Sequence, residues 1–464
     1  MSTAPTKKVL SIFTLTMINV AAIASLRNLP LASSFGFSII FIYALMALLF
    51  LIPSALVSAE LATAYHNTTG GVFKWVEEAY GPKWGFLAIW MQFIANVIWY
   101  PTALAFGGAT IAYIINPVLA QNKIYLISVI LGSFWLATYI NLKGMKVSGA
   151  MSSLGAIFGT LVPGAFIIAL GIIWWIIGKP IAIVTTAATF FPKMSLPNLV
   201  FIAGILFSFA GIEMSAVHAK EVQNPNKNYP KAIAISSIIL VLLLVMGSLA
   251  ISFVIPPDDV SLVSGLMEAF RAFFSAFNIP WFTPVLAILV AFGVFSQSST
   301  WLIGPVKGIY ATAHEGFLPK IFDKANNKGV PYTLLYFQGG VVTFLALLFL
   351  VMPNIESTFW ILSALATQLY ILMYVLLFSA AICLRYTKPN IARPYKVFGG
   401  NLGMNLIAGT GGLVSLAVFF LGFVPPGQLE TGNLFFYEGF LVAGLLIFGV
   451  IPFLAIRKRG KKKA

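Results

Sequence analysis

Charge is what this sequence has little of. Only 9% of its 464 residues are Asp, Glu, Lys or Arg, against roughly 25% in an ordinary soluble domain. Such a chain cannot coat a water-facing surface. With 59% hydrophobic residues and a mean hydropathy of +0.95, its main solvent is lipid. The single cysteine, Cys383, excludes a disulfide framework and a cysteine-based metal cluster; it sits in an apolar run as a small packing residue. Three histidines, with no H-x-x-x-H pair and no carboxylate cluster nearby, give no basis for a metal site. No G-x-x-x-x-G-K-[ST] loop is present to cradle phosphates, so ATP-driven transport within the chain is not expected. No acid–base or nucleophile constellation points to an enzyme, and no cofactor is implied. The first apolar run, from Val9, lacks a small-residue cleavage site and leads directly into a second, which argues against a cleaved signal peptide.

What is there is a succession of long apolar runs. In lipid every backbone polar group needs an internal partner, which leaves helices or closed barrels. Barrel strands alternate apolar and polar residues, whereas these runs are continuous and about 20 residues long, the length of a membrane helix. Twelve spans are predicted, at 9–29, 37–63, 84–115, 124–140, 150–177, 199–219, 232–254, 284–304, 333–352, 359–384, 404–424 and 439–456. The basic residues test this map. With the N-terminus cytoplasmic, 23 of the 28 Lys and Arg residues fall in inner segments. Lys123, Lys179, Lys193 and Arg271 fall outside, and Arg27 lies within the first span. That asymmetry is the positive-inside rule. The net charge of +15 is therefore a topology signal and a lipid-headgroup contact, and nucleic acid is not an expected partner. Both termini are expected in the cytoplasm of a cell-membrane protein. Two loop helices are also expected: a surface helix over 262–274 in the long outer loop, and an interfacial helix over 72–80 inside.

Polar groups inside a membrane are costly, and each asks for a reason. In the first span, Ala22, Ile23, Ala24 and Ser25 precede Arg27, Asn28 and Pro30. Small side chains let a solute approach the backbone, and a broken helix leaves free N–H groups and a positive dipole end suited to a carboxylate. The alternative is that Arg27 snorkels to the outer surface. The sixth span reads Phe207, Ser208, Phe209, Ala210, Gly211, Ile212, Glu213, a mid-span glycine followed by a carboxylate. Glu213 is a candidate proton carrier, or a structural carboxylate paired with a neighbour such as Arg27. Paired interrupted helices in two halves point to a midplane binding site. Gln297, Ser298, Ser299 and Thr300 in the eighth span either line a pathway or join helices. His218 either senses pH or is an interfacial side chain. Glu60 reads as a structural ion pair with a basic residue of an adjoining loop. Trp99, Tyr100 and Pro101 are expected to kink the third span.

Three ordered stretches carry a family resemblance: GGVFKWVEEAYGPKWGF at 70–86, SFAGIEMSAVHAKEVQNPNKNYP at 208–230, and 301–331 with its GFLPKIF and KGVP elements. With AELAT at 59–63, the chain resembles the amino acid–polyamine–organocation transporters, nearest the glutamate/GABA antiporter branch. The resemblance implies an all-α membrane protein with a leucine-transporter-type 5+5 inverted repeat plus two peripheral helices. The repeats would occupy 1–194 and 195–384, with the peripheral helices and a basic tail in 385–464. It implies exchange or proton-linked uptake of a small amino acid or related amine, with protons rather than sodium as the coupling ion. Residues 22–26 and 207–212 would be unwound, Glu213 the gating or proton-linked acid, Trp301 a gating aromatic, and Gln92 and Asn96 would face the site. Two departures stand out. Arg27 places a fixed charge near the first break, where relatives often carry glycines or an aromatic. The sequence given stops shortly after its last span, so a C-terminal plug is not expected. An amino-acid receptor without net transport is the alternative function; a channel is disfavoured because the polar residues cluster mid-membrane.

Overall fold

The computed structural model describes residues 10–66, 71–143, 154–427, 429, 433–450, 452–454 and 456, with no side-chain description for 217–220 and 303. The side chain of His218, the tail residues 457–464, Lys7, Lys8 and Lys146 thus lie outside the described residues. Among the described residues the chain is helical, apart from an isolated bridge of Leu10 to Val222.

Among the described residues, eleven helices are long and apolar enough to cross a membrane. They are Gly36–Ala64, Pro82–Ile115, Lys123–Leu142, Leu154–Ile176, Leu196–Ala216, Pro225–Val254, Pro280–His314, Tyr332–Val351, Ile355–Thr387, Gly400–Leu421 and Leu434–Leu454. A twelfth is the bent pair Ile12–Ile23 and Leu26–Ser33, which turns by 45°. Each corresponds to one expected span. Several run longer than hydropathy alone marks. The tenth span, Ile355–Thr387, has 33 residues, or about 50 Å of helix at 1.5 Å per residue, longer than the roughly 30 Å hydrocarbon core of a bilayer. Its N-terminal end is fixed by Asn354, whose side chain accepts from the Ser357 N–H at 2.7 Å. The seventh starts on Pro225, where a missing N–H costs nothing.

Burial sorts the spans. The third, sixth and tenth have 78%, 72% and 72% of their apolar windows buried, the eleventh and twelfth only 28% and 24%. The first three are central; the last two lie at the periphery. The third span passes through Pro101 as one continuous helix, Pro82–Ile115, so the expected kink there does not interrupt it. The loop helices form as Val72–Tyr80 and Gly265–Ala276. The outer one is more than a surface helix: Leu266, Met267, Phe270, Phe273 and Phe274 are all fully covered.

Two contacts set the geometry. Spans five and eight touch through backbone: a Cβ on Gly159 would lie 2.1 Å from the Gly293 Cα. At the C-terminal end of the second span, Glu60 receives Arg385 in a fork, Nε at 2.7 Å and Nη2 at 2.6 Å, with Arg393 at 3.2 Å and the Val397 N–H at 2.8 Å. Glu60 and Arg385 are both buried. This cluster ties the second span to the end of the tenth. Beside it, Glu78 bonds Lys388 and Lys74, and those two ammonium groups hold its carboxyl below the usual range.

Two predictions follow from these contacts. Gly293→Leu forces apart two backbones in contact, so its thermal unfolding midpoint in detergent falls, whereas Gly409→Leu, with open space around the added Cβ, leaves it in place. Glu60→Gln strips the charge from a fork shared by two arginines and costs about 3–5 kcal/mol, read in the same assay; an unshifted midpoint would show that the cluster is not holding the second and tenth spans together.

Candidate functional site

The first break arises from Pro30. In a continuous helix its ring would clash with the Leu26 carbonyl and leave that group without an N–H donor. The Ala24 N–H closes the inner half on Val20 at 2.8 Å. Ala24 and Ser25 are then extended, at φ −62°, ψ 116° and φ −135°, ψ 119°. A 3-10 turn over Leu26–Asn28 restarts the chain outward. The opened backbone is thus shorter than 22–26; Ala22 and Ile23 remain helical.

The sixth span opens differently. Its helix Leu196–Leu206 tightens to a 3-10 turn at Phe207–Phe209. Ala210 is extended at ψ 142°, and Gly211 has φ +113°, a conformation open to glycine at no steric cost. The chain continues as 3-10 helix, Ile212–Glu221, not the expected α-helix. Runs of that length are uncommon because 3-10 bonds are poorly aligned. The two breaks adjoin: a Cβ on Gly211 would sit 3.4 Å from Ile23 and 3.8 Å from Trp301.

Side chains of the eighth span satisfy the freed carbonyls of the first. Gln297 Nε2 donates to Ala24 O at 3.1 Å and Ala21 O at 3.4 Å, and Trp301 Nε1 donates to Ala22 O at 3.1 Å. Asn96 Nδ2 in turn donates to Trp301 O at 3.2 Å and to Tyr100 Oη at 3.1 Å. In the rest of the polar run only Ser299 joins helices, accepting from Asn141 at 2.9 Å; Thr300 bonds its own helix at Ser296, and Ser298 Oγ is buried without a hydrogen-bond partner.

Glu213, 1% exposed, lies in a cage of neutral donors. Its Oε1 accepts from Gln92 Nε2 at 2.9 Å and Tyr370 Oη at 2.8 Å; its Oε2 accepts from Tyr374 Oη. Tyr374 Oη accepts in turn from the Gly211 N–H at 2.8 Å. The carboxylate is therefore bonded to the sixth-span break through one phenol. The pairing with Arg27 considered from sequence does not occur.

Arg27 does not snorkel. It is 5% exposed, donating to Thr102 Oγ1 at 2.7 Å and Ser363 Oγ at 3.4 Å. Its guanidinium carbon lies 5.0 Å from the Phe359 ring centroid and 5.8 Å from that of Trp99.

Between the breaks lies a cavity of about 480 Å³, including space open to solvent. Ala22, Ile23, Ser25, Arg27, Asn96, Phe207, Ser208, Ala210 and Trp301 line it. Ala24, Gln92, Phe209, Gly211, Ile212 and Glu213 do not. Ala24 turns its carbonyl to Gln297, Phe209 packs on Tyr43 at 5.6 Å, and Gln92 and Glu213 sit behind Tyr370. Sequence reasoning missed Asn28 as a lining residue, and also Ala95, Trp99 and Tyr370. Tyr370 and Tyr374 had a readable signal: two phenols four residues apart share one helix face, and a buried phenol needs a polar partner. A second cavity of about 620 Å³, also including space open to solvent, adjoins it and shares Arg27, Asn28 and Phe207.

The pattern that describes the family "Amino acid permease" matches residues 10–448. A Legionella pneumophila protein described as an uncharacterized transporter is 46% identical over 98% of both chains. A Lactococcus lactis glutamate/gamma-aminobutyrate antiporter is 30% identical over 98% of this chain and 92% of its own. A probable agmatine/putrescine antiporter of the same species is 26% identical over 80% of this chain and 78% of its own.

Gln297→Leu leaves the Ala21 and Ala24 carbonyls without their donor, at a cost of about 1–3 kcal/mol. Thermal unfolding should show the loss; an unaltered midpoint would mean that those carbonyls find other donors.

Proposed function

The chain belongs to the amino acid permease family, and on that premise we propose that it is a secondary transporter carrying a small amino acid or related amine by alternating access, as an antiporter or a proton-linked importer. It is a multi-span membrane protein of a transporter family. The repeats would be 1–194 and 195–384, with 385–464 peripheral and both termini in the cytoplasm of a cell-membrane protein; the distribution of basic residues supports that orientation. One observation carries the reading: two spans lose helical backbone at adjoining points, and a cavity lies between them.

In this scheme the substrate occupies that cavity. Its carboxylate meets the N–H groups of the first break. Its amino group meets carbonyls of the sixth, the only break not already tied up by Gln297 and Trp301. Phe207 and Trp301 flank the site, and Phe207 packs edge-on against Tyr370 at 5.7 Å. Movement of these rings closes the cavity. Substrate drives the rocking only to the extent that it binds the closed state more tightly.

Protons enter through Glu213. Its phenolic neighbour Tyr370 lines the cavity, so a substrate that displaces or recruits this hydroxyl alters the carboxylate's hydrogen bonding. A neutral cage tolerates both protonation states of the acid, whereas a fixed cation would hold it ionised. The test is uptake into proteoliposomes across acidic to neutral pH. Wild-type uptake is expected to follow pH, and Glu213→Gln, fixed in a neutral form, to lose that dependence while retaining exchange. A wild-type pH profile in Glu213→Gln would remove Glu213 from the coupling path.

A further inference from the structure

Three charged sites are buried in the described part of the spans, and two have their partners. Glu60 is matched by Arg385 and Arg393. Glu213 has Gln92, Tyr370 and Tyr374. Arg27 has hydroxyls alone. Thr102 and Ser363 accept from it, but neither carries charge, and Nε has no hydrogen-bond partner. Among the described residues no carboxylate forms an ion pair with it. Two aromatic rings, Trp99 and Phe359, lie near the guanidinium, and it lines both cavities.

We propose that Arg27 selects the transported amino acid by charge, its guanidinium being neutralised by a second carboxylate on the substrate. The proposal rests on the reading of the midplane cavity as the transport site. A buried ion without a counter-charge is strongly unfavourable. While the cavity is open, water and dissolved anions screen Arg27; once rings close over it, they no longer do. A neutral amino acid brings one positive and one negative group, so it leaves the guanidinium uncompensated on closure. An amino acid with two carboxylates brings the site to neutrality. An organic cation such as agmatine adds like charge and is rejected. The planar fork suits a carboxylate in two-point contact, and the fixed ring and hydroxyl contacts orient it before substrate arrives.

The test compares L-glutamate, L-glutamine and agmatine as radiolabelled substrates in proteoliposomes. Glutamate and glutamine are nearly isosteric and differ in charge. Wild-type is expected to favour glutamate over glutamine by roughly 30-fold or more in uptake efficiency and to exclude agmatine. Arg27→Gln, shown monodisperse, should bring glutamate and glutamine close to parity. Arg27→Lys, which keeps the charge and loses the fork, should keep the direction of preference with weaker affinity; it decides the matter should Arg27→Gln fail to fold. Equal wild-type uptake of glutamate and glutamine overturns the proposal, as does a folded Arg27→Gln that keeps the preference. If wild-type moves only neutral amino acids, charge selection falls and the transport reading stands. If it moves no amino acid or amine, both fall.

Discussion

Everything here depends on one constraint: in the middle of a membrane, backbone that leaves a helix must find its hydrogen bonds in neighbouring side chains. The first span can stop at Ala24 because Gln297 and Trp301 reach across from the eighth span to its free carbonyls. The sixth can turn at Gly211 because Tyr374 accepts the exposed N–H. The breaks are therefore properties of the bundle, not of the two spans alone. The same contacts leave a space between them in which a solute can meet backbone directly.

The ionised groups follow the same logic at higher stakes. In the Glu60 cluster the charges are paired, and it joins elements that are remote in sequence. Such a cluster adds little net stability over apolar packing but is costly to break singly. Glu213 sits among neutral donors that serve it in either protonation state. Arg27 is held in place but not neutralised. The three sites grade from a paired cluster, through a tolerant cage, to an uncompensated cation that lines the cavity.

Most of the architecture was legible in the sequence, for physical reasons. Lipid demands continuous apolar runs, so hydropathy located every span. Pro30 and Gly211 marked the breaks because each forbids or releases a specific backbone geometry. What was not legible came from side chains acting across the bundle. The first opening was drawn too wide because Trp301 and Gln297 pin the Ala21–Ala24 turn from another helix. The 3-10 course of Ile212–Glu221 has no local signature. The role of Tyr370 was missed because a tyrosine in an apolar helix is ordinary until a buried carboxylate is found beside it. The outer helix at Gly265–Ala276 was anticipated from its amphipathic pattern, yet its depth of burial depended on what lay beneath.

The most direct measurement uses the single native cysteine. In a Cys383→Ser background, one cysteine is placed at Ser25 and, in a second protein, at Ser208, one beside each break. The alkylation rate of each is measured with and without a transported amino acid. If solute rests between the two breaks, saturating substrate slows alkylation at both positions. Unchanged rates at both, in a protein that demonstrably transports, would place the solute elsewhere and contradict the account.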